Sequence, residues 1–488
     1  MTTVHYEAWE PVIGLEIHVQ LLTATKLFSA APLRFGAAPN TMITEVDTGQ
    51  PGALPMLNKE AVKLALQFGL AIHSEIALRS GFDRKSYFYP DSPRNFQITQ
   101  FYRPLLRGGT ITCEIGGHTR HFAIQHAHLE EDTGMLKHFP GYTGIDYNRA
   151  GAALLEIVSE PMIHSPREAV AYAMAIRTLM HYLKASDCNM EKGSLRIDAN
   201  VSVRPKGSKG LRPKVEIKNM NSFHHMELAI EGEIRRQIRL YTLQPHEDPK
   251  ILVQQETYRF DPVKKTNVLM RRKEEAQDYR YFPDPDLPPL VLTEQFIEAQ
   301  RLGLPETPHQ RYLRYITELK LSPVSASILV ADKFLSDYFE EALQICKAPS
   351  SLCNWLTVEF LGRLKEKGLS LQASKLPSHH IGKLVKLIEE QVITGKIAKL
   401  LAEEMVLHPE KDPEELVETS SDYKPLQDPS LIASIIEEVL HEHPLSASDY
   451  KAGKTKAFSF LVGQVMEKTR GKASPAIVNA LLKERLGH

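Results

Sequence analysis

Residues 194–205 read SLRIDANVSVRP, and this stretch constrains the fold more tightly than any other. Leu195, Ile197, Ala199, Val201 and Val203 alternate without a break with Arg196, Asp198, Asn200, Ser202 and Arg204. A helix would scatter the two sets around its circumference, whereas a strand gives each its own face. The segment therefore predicts a strand with one buried side and one richly polar side. Residues 13–21, IGLEIHVQL, repeat the pattern: Ile13, Leu15, Ile17 and Val19 oppose Gly14, Glu16, His18 and Gln20. A carboxylate and an imidazole thus stand on the same strand face. Either that face meets water, or it builds a metal or catalytic site.

Period-2 runs continue along the first part of the chain. TITCEIGG and RHFAIQH suggest a hairpin about Gly116-Gly117. KVEIKN sets Lys214, Glu216 and Lys218 opposite Val215 and Ile217, completing a ribbon with the 194–205 strand. Helical segments near 166–184 and 223–242 interrupt the strands. The class expected is α+β, with a β-rich, mostly antiparallel domain followed by all-α helical and tail domains. In YFPDPDLPPL, four prolines between 283 and 289 remove backbone donors and forbid regular structure. A boundary is expected there.

Beyond it the period turns helical. Ile381, Leu384, Val385 and Ile388 follow a capping Ser378, and Gly395 precedes a second helix with Ile397, Leu400 and Leu401. Pro409 and Pro413 mark a linker, after which Ile432, Ile435, Ile436 and Val439 resume the period. Ser474-Pro475 opens a last helix with Val478, Leu481 and Leu482. The organisation expected is a domain over 1–292, a helical domain over 293–410 and a helical tail over 411–488. Three domains also suit 488 residues, at roughly 100–200 residues each.

The absence of an apolar run of about 20 residues argues against a membrane span. The N-terminus carries no apolar or Arg/Ser-rich leader, so the expected address is the cytoplasm. Cys113, Cys188, Cys346 and Cys353 form no C-x-x-C pair, which argues against a disulfide framework or a cysteine zinc site. A net charge of −1 leaves nucleic-acid binding to local basic patches.

Several stretches could carry chemistry. HAHLEEDTG, 126–134, places Glu130, Glu131 and Asp132 in succession after two histidines. Neighbouring side chains in extended backbone point apart, so only one or two of these acids could enter a common site; a solvated acidic turn is the alternative. Glu156 interrupts the apolar run AALLEIVS and is paired, metal-bound or on a wet strand face. FDRKSYFYPD, 82–91, interleaves Arg84 and Lys85 with Tyr87, Phe88 and Tyr89. Cations beside rings suit a nucleotide or an RNA end, or else a core-edge strand with extended basic side chains. Residues 451–472 hold Lys451, Lys454, Lys456, Lys468, Arg470 and Lys472 against Glu467 alone, which fits phosphate contact or a solvated helix face. Gly453-Lys454-Thr455 is not a phosphate loop, because Ser448 stands where its first glycine is required. HHIGK, 379–383, lies inside the periodic helix. With no G-x-S-x-G elbow or Gly/Ser-rich amidase segment, a covalent nucleophile is unsupported.

Taken in order, VIGLEIHVQL, QPGALPMLN, FDRKSYFYPDSPRNFQITQ, HLEEDTG, DYNRAG, LLEIVSEP, MEKGSLRIDANVSVRP, VEIKNMNSF, DYRYFPDPDLPPL and KAFSFLVGQVMEKTRGKASP resemble the B-subunit family of glutamine-dependent aspartyl/glutamyl-tRNA amidotransferases. The resemblance spans nearly the whole chain. It implies a cradle-like catalytic domain and a YqeY-like tail that contacts the outer corner of tRNA. It also implies ATP-dependent phosphorylation of the side-chain carboxylate of misacylated Asp-tRNA(Asn) or Glu-tRNA(Gln). Ammonia from an amidase A subunit then gives the amide, and a small C subunit clasps the pair. The implied cofactors are ATP and Mg²⁺. The implied metal ligands are His18, Glu131 and Glu156, with Glu16 as a ligand or supporting carboxylate. Arg84 and Lys85 are candidates for phosphates, Tyr87 for the nucleotide, and Asp198 and Asn200 for orienting the aminoacyl end or a second cation. Many relatives bind zinc through four N-terminal cysteines. Here those positions are Ser29, Ala31, Thr44 and Asp47, so no zinc is expected, and apolar packing with hydrogen bonds should hold the loop. A non-catalytic tRNA scaffold and a standalone metal hydrolase are the rival readings.

Overall fold

The strand predicted at 13–21 runs from Trp9 to Gln20 and lies inside a ten-stranded sheet. Its apolar face is fully enclosed: Ile13, Leu15, Ile17 and Val19 are at most 1% exposed. The computed structural model describes residues 6–272 and 278–487. The chain divides into two compact units, Met1–Gln310 and Arg311–His488.

In the first unit the sheet path runs Thr266–Arg271, Thr257–Asp261, Val215–Lys218, Leu195–Pro205, Trp9–Gln20, Ala153–Ser159, His118–Glu131, Leu106–Arg107 and Glu75–Ile76. Thr110–Ile115 pairs with His118–Glu131 off this path. Val215–Lys218 and Thr257–Asp261 run parallel, and the other pairings are antiparallel. The expected hairpin is present: Gly116 (φ 60°) and Gly117 (φ 82°) turn the chain in a region that residues with a Cβ enter at a cost. Helices Pro166–Tyr182 and Phe223–Leu243 begin at Ser165 and Ser222, whose side chains accept the first free amides. They pack on each other and cover the apolar face of the sheet, with Tyr172 edge-on to Phe122. The opposite face is left open to polar side chains.

The proline-rich stretch does not end the first unit. Helix Glu294–Leu302 folds back on helix Lys59–Ala71, where Lys59 Nζ lies 5.8 Å from the Phe296 ring centroid. Nor do the prolines exclude regular structure, since Pro283 pairs with Asp83 in the short strand Phe282–Pro283; a unit ends where apolar burial stops. The second unit holds two apolar cores, one built between Tyr312 and Val417 and one between Ile432 and Leu486. Val417 belongs to the earlier core, so the helix Pro413–Thr419 sides with the residues before it. Ser378 is the first residue of its helix rather than its cap, and its hydroxyl donates to Glu341. Among the described residues no helix is long and apolar enough to cross a membrane.

The loop where relatives carry cysteines is organised by Asp47. Its carboxylate accepts from the Ser29 hydroxyl at 2.8 Å, the Thr44 amide at 2.8 Å and the Thr44 hydroxyl at 3.0 Å. The fully buried Lys26 ammonium stands 3.4 Å from Asp47 Oδ2 and donates to the Tyr147 carbonyl. Burial pulls the Lys26 pKa down, and Asp47 opposes that fall. Gly151 (φ +84°) passes so close that a Cβ there would lie 2.9 Å from Asp47 Oδ1. The ion pair was not expected, since a lone lysine in a sequence carries no sign of burial. Replacing Lys26 by Met leaves the Asp47 charge uncompensated, so a loss of about 3–5 kcal/mol is expected in urea unfolding. A loss below about 1 kcal/mol would mean the pair is structurally idle.

Candidate active site

Glu16 and His18 project from the open face of the central strand, and backbone register chooses their neighbours. Glu16 stands across from Asp198, Gly14 from Asn200, and His18 from Glu156. Glu156 in turn stands across from His128, and Leu154 from Glu130. Directly opposed residues bring their Cβ atoms to about 5 Å, which is within side-chain reach. Two clusters result.

In the first, His18 Nε2 lies 3.3 Å from Glu130 Oε1 and 3.5 Å from Glu156 Oε2, and His128 Nε2 lies 3.3 Å from the same Glu156 oxygen. Donor atoms of His18, Glu130 and Glu156 all lie within 4.8 Å of one another. The side chains of His18 and Glu156 keep 20% and 17% exposure, so a ligand can reach them. In the second, donor atoms of Glu16, Asp198 and Glu216 meet the same 4.8 Å limit. Asn200 Nδ2 donates to Glu16 Oε1 at 2.8 Å, and Lys218 pairs with both Asp198 and Glu216.

The electrostatics of the clusters differ. Burial lowers the His18 pKa, but Glu156 and Glu130 outweigh it and hold the imidazole well above its ordinary value. Burial raises Glu156, yet His128 and His18 bring it well below the usual carboxylate range. Glu16 is raised by burial and by the charge of Glu156, with Asn200 opposing. Burial lowers Lys218, while Asp198 and Glu216 drive it upward overall. The first cluster therefore holds a positive imidazole between two carboxylates. A divalent cation fits the same place, because the donors are mainly carboxylate oxygens and His18 can exchange its proton for the metal. His128 turns Nε2 toward Glu156, and its Nδ1 is buried without a hydrogen-bond partner among the described residues.

Of the expected metal ligands, Glu16, His18 and Glu156 lie on this face; Glu131 does not. The strand His118–Glu131 remains extended to its end, so Glu130 and Glu131 point to opposite sides. Glu131 is paired with Arg94 and accepts from the Ile98 amide at 2.8 Å. Burial raises its pKa, with Arg94 opposing. Glu130 takes the position expected of Glu131. Alternation groups Glu130 with His128, but only the register, which sets His128 across from Glu156, puts that set on the site. Glu216 also went unassigned, although its strand face carries Lys218.

Asp198 and Asn200 lie on the polar face of their strand, and the register, which the residues did not give, sets Asp198 across from Glu16 while Asn200 donates to it. Arg84 does not stand free for a phosphate: it binds Asp284 and Asp286, each at 2.7 Å, and stacks on Phe96. Lys85 lies over Tyr279, and Tyr87 approaches Tyr89. Burial, reinforced by Asp91, pushes the Tyr87 phenol up to about 12. Arg84 and Lys85 belong to a separate three-stranded sheet, Phe282–Pro283, Asp83–Ser86 and Phe96–Thr99, and Tyr87 directly follows its middle strand. Arg196, which the sequence left without a role, stands across from His18, pairs with Asp132 and keeps a buried Nε–H without a partner among the described residues.

Residues 11–298 match the family described as "GatB/GatE catalytic domain", and residues 337–486 match the "GatB domain". The chain is 58% identical over 480 residues to the B subunit of the aspartyl/glutamyl-tRNA(Asn/Gln) amidotransferase of Protochlamydia amoebophila (strain UWE25), covering 98% of this chain and 97% of the relative. It is 55% identical to the protein of the same name from Chlamydia pneumoniae, with 98% of each chain covered.

The two glutamates separate cleanly in a metal titration followed by calorimetry with Mg²⁺ and by the spin signal of Mn²⁺. Glu130→Gln is expected to weaken binding on the order of 10-fold or more, and Glu131→Gln to leave it unchanged. Equal weakening by both would dismiss the alternation argument.

Proposed function

Since the chain belongs to the GatB family of tRNA-dependent amidotransferase B subunits, we propose that its open sheet face is where the carboxylate of a misacylated tRNA is activated and amidated. The reaction converts Asp-tRNA(Asn) and Glu-tRNA(Gln) into Asn-tRNA(Asn) and Gln-tRNA(Gln). The observation that carries the assignment to this face is the pair of ligand clusters side by side on it, joined through Glu16 and His18 of one strand.

In the first half, a carboxylate oxygen of the aminoacyl group attacks the γ-phosphorus of ATP, and ADP leaves. In the second, ammonia attacks the resulting acyl phosphate; phosphate departs and the nitrogen loses a proton. His18, Glu130 and Glu156 would hold one Mg²⁺, and Glu16, Asp198 and Glu216 a second cation. Mg²⁺ held there would offset the charge that develops on the transferred phosphoryl group. Lys218 restrains Asp198 and Glu216, and Asn200 orients Glu16. Arg196, across from His18 and with its side chain 36% exposed, brings a positive charge to the edge of this cluster. The chain has no sequence motif of an amidase nucleophile, so glutamine hydrolysis falls to an A subunit, with a small C subunit completing a heterotrimer.

The tail is the element we assign to the body of the tRNA. Its charge is less available than composition implied: Lys454 pairs with Asp449, Lys468 with Glu438 and Glu442, and Lys472 with Asp422. Lys451, Lys456 and Arg470 form no ion pair among the described residues and are the better phosphate candidates.

The deciding experiment is ATP hydrolysis by the complex with A and C subunits, with and without Glu-tRNA(Gln) or Asp-tRNA(Asn). Stimulation by misacylated tRNA is expected, and Glu156→Gln should reduce it by about 100-fold or more. An intact complex in which neither tRNA stimulates hydrolysis would leave only the scaffold reading. Ending the chain at Lys424, between the two helical cores, should weaken tRNA binding on the order of 10-fold or more while glutaminase activity persists. Unchanged filter-binding affinity would remove the tail from the tRNA interface.

A further inference from the structure

Aromatic side chains cluster on the surface beside the three-stranded sheet, where folding alone gives no reason to leave them. Phe101 is 55% exposed and Phe88 63% exposed. Phe101 stacks on Tyr281 with ring centroids 3.9 Å apart and planes 10° from parallel. Tyr281 meets Tyr279 edge-on at 6.2 Å, and Lys85 Nζ lies 4.8 Å over the Tyr279 ring. Arg280 lies 5.5 Å over Phe88. Phe101, Tyr281, Tyr279 and Lys85 thus form one continuous run of contacts, a shelf, and the Arg280–Phe88 pair flanks it in sequence. Phe101 keeps an exposed ring face while its other contacts hold it in place, which suits a stacking ligand.

The shelf begins next to the acidic clusters. Gln100 Oε1 accepts from the Leu129 amide at 3.0 Å, so the next residue on each side is Phe101 and Glu130. Asp83 Oδ2 accepts from the Phe101 amide at 2.9 Å and fixes the backbone that presents the ring. Lys85 and Arg280 bring positive charge, and flat rings offer faces to any base.

We propose that this shelf stacks the unpaired 3′-terminal nucleotides of the aminoacyl-tRNA, with Phe101 under the terminal base, and so delivers the aminoacyl group to the acidic clusters. The proposal rests on the assignment of those clusters as the activation site and adds the element that positions the substrate. An open shelf with rings in succession suits single-stranded nucleotides, which stack one base after another. The adenine of ATP would call for a closed, concave pocket instead.

The test uses the complex with its A and C subunits and Glu-tRNA(Gln) whose terminal adenosine is replaced by fluorescent 2-aminopurine riboside. Binding to the native complex should quench the probe by stacking. Phe101→Leu keeps apolar bulk but removes the π-face; it should abolish the quench and raise the KM for tRNA by about 5- to 100-fold. The KM for ATP should not move, and Phe101→Tyr should restore both signals. A quench that survives Phe101→Leu overturns the proposal. So does a rise in the KM for ATP with the tRNA KM unchanged, which would make the shelf an adenine site. Glu156→Gln distinguishes the two levels: it should lose ATP hydrolysis yet keep the quench. If it keeps hydrolysis, the activation-site reading fails whatever Phe101 does.

Discussion

Backbone pairing on both flanks of the strand Trp9–Gln20 is the constraint on which the candidate site depends. That pairing sets Glu16 across from Asp198 and His18 across from Glu156. No loop has to close to bring these groups together. The register is enforced from the other face. A one-residue slip would turn Glu16 and His18 into a core that now holds Leu15 and Ile17, and would expose those apolar side chains. Burial of the apolar face therefore supplies the energy that keeps the polar face in geometry.

A consequence is that like charges crowd a single surface. The structure offsets them unequally. One cluster is held by imidazoles, which bring Glu156 below its ordinary range; the other is held by Lys218 and Asn200, and Glu16 stays above its own. The two neighbouring carboxylates are thus displaced in opposite directions by their surroundings. Because paired strands hold these groups, the activation proposed for this face would need little reorganisation of them. The aromatic shelf has a similar support, since the hydrogen bond from Leu129 to Gln100 ties it to the strand that carries Glu130.

Much of this was legible in the residues. Period-2 alternation identified the strands on either side of Gly14–Asn200 and stated that Glu16, His18, Asp198 and Asn200 share polar faces. It did not choose between Glu130 and Glu131, because adjacent acids look alike until the strand is known to stay extended through both. Arg84 looked available for a phosphate because Asp284 and Asp286, its partners, lie far along the chain. The basic tail looked more positive than it is for the same reason: Glu438 and Glu442 come from another helix. Helix Glu294–Leu302 escaped assignment to the first unit because its partner helix Lys59–Ala71 is equally remote.

The sequence by itself determined the local periods: which residues alternate, which repeat every three to four positions, and so which faces are apolar. These depend on side chains a few positions apart, and covalent geometry relates such positions directly. Tertiary structure alone decided the strand order and register, the exclusion of Glu131, the buried pairing of Lys26 with Asp47 and the stacking of Phe101 on Tyr281. Each joins residues whose separation along the chain says nothing of their distance in space, which only packing of the whole core sets.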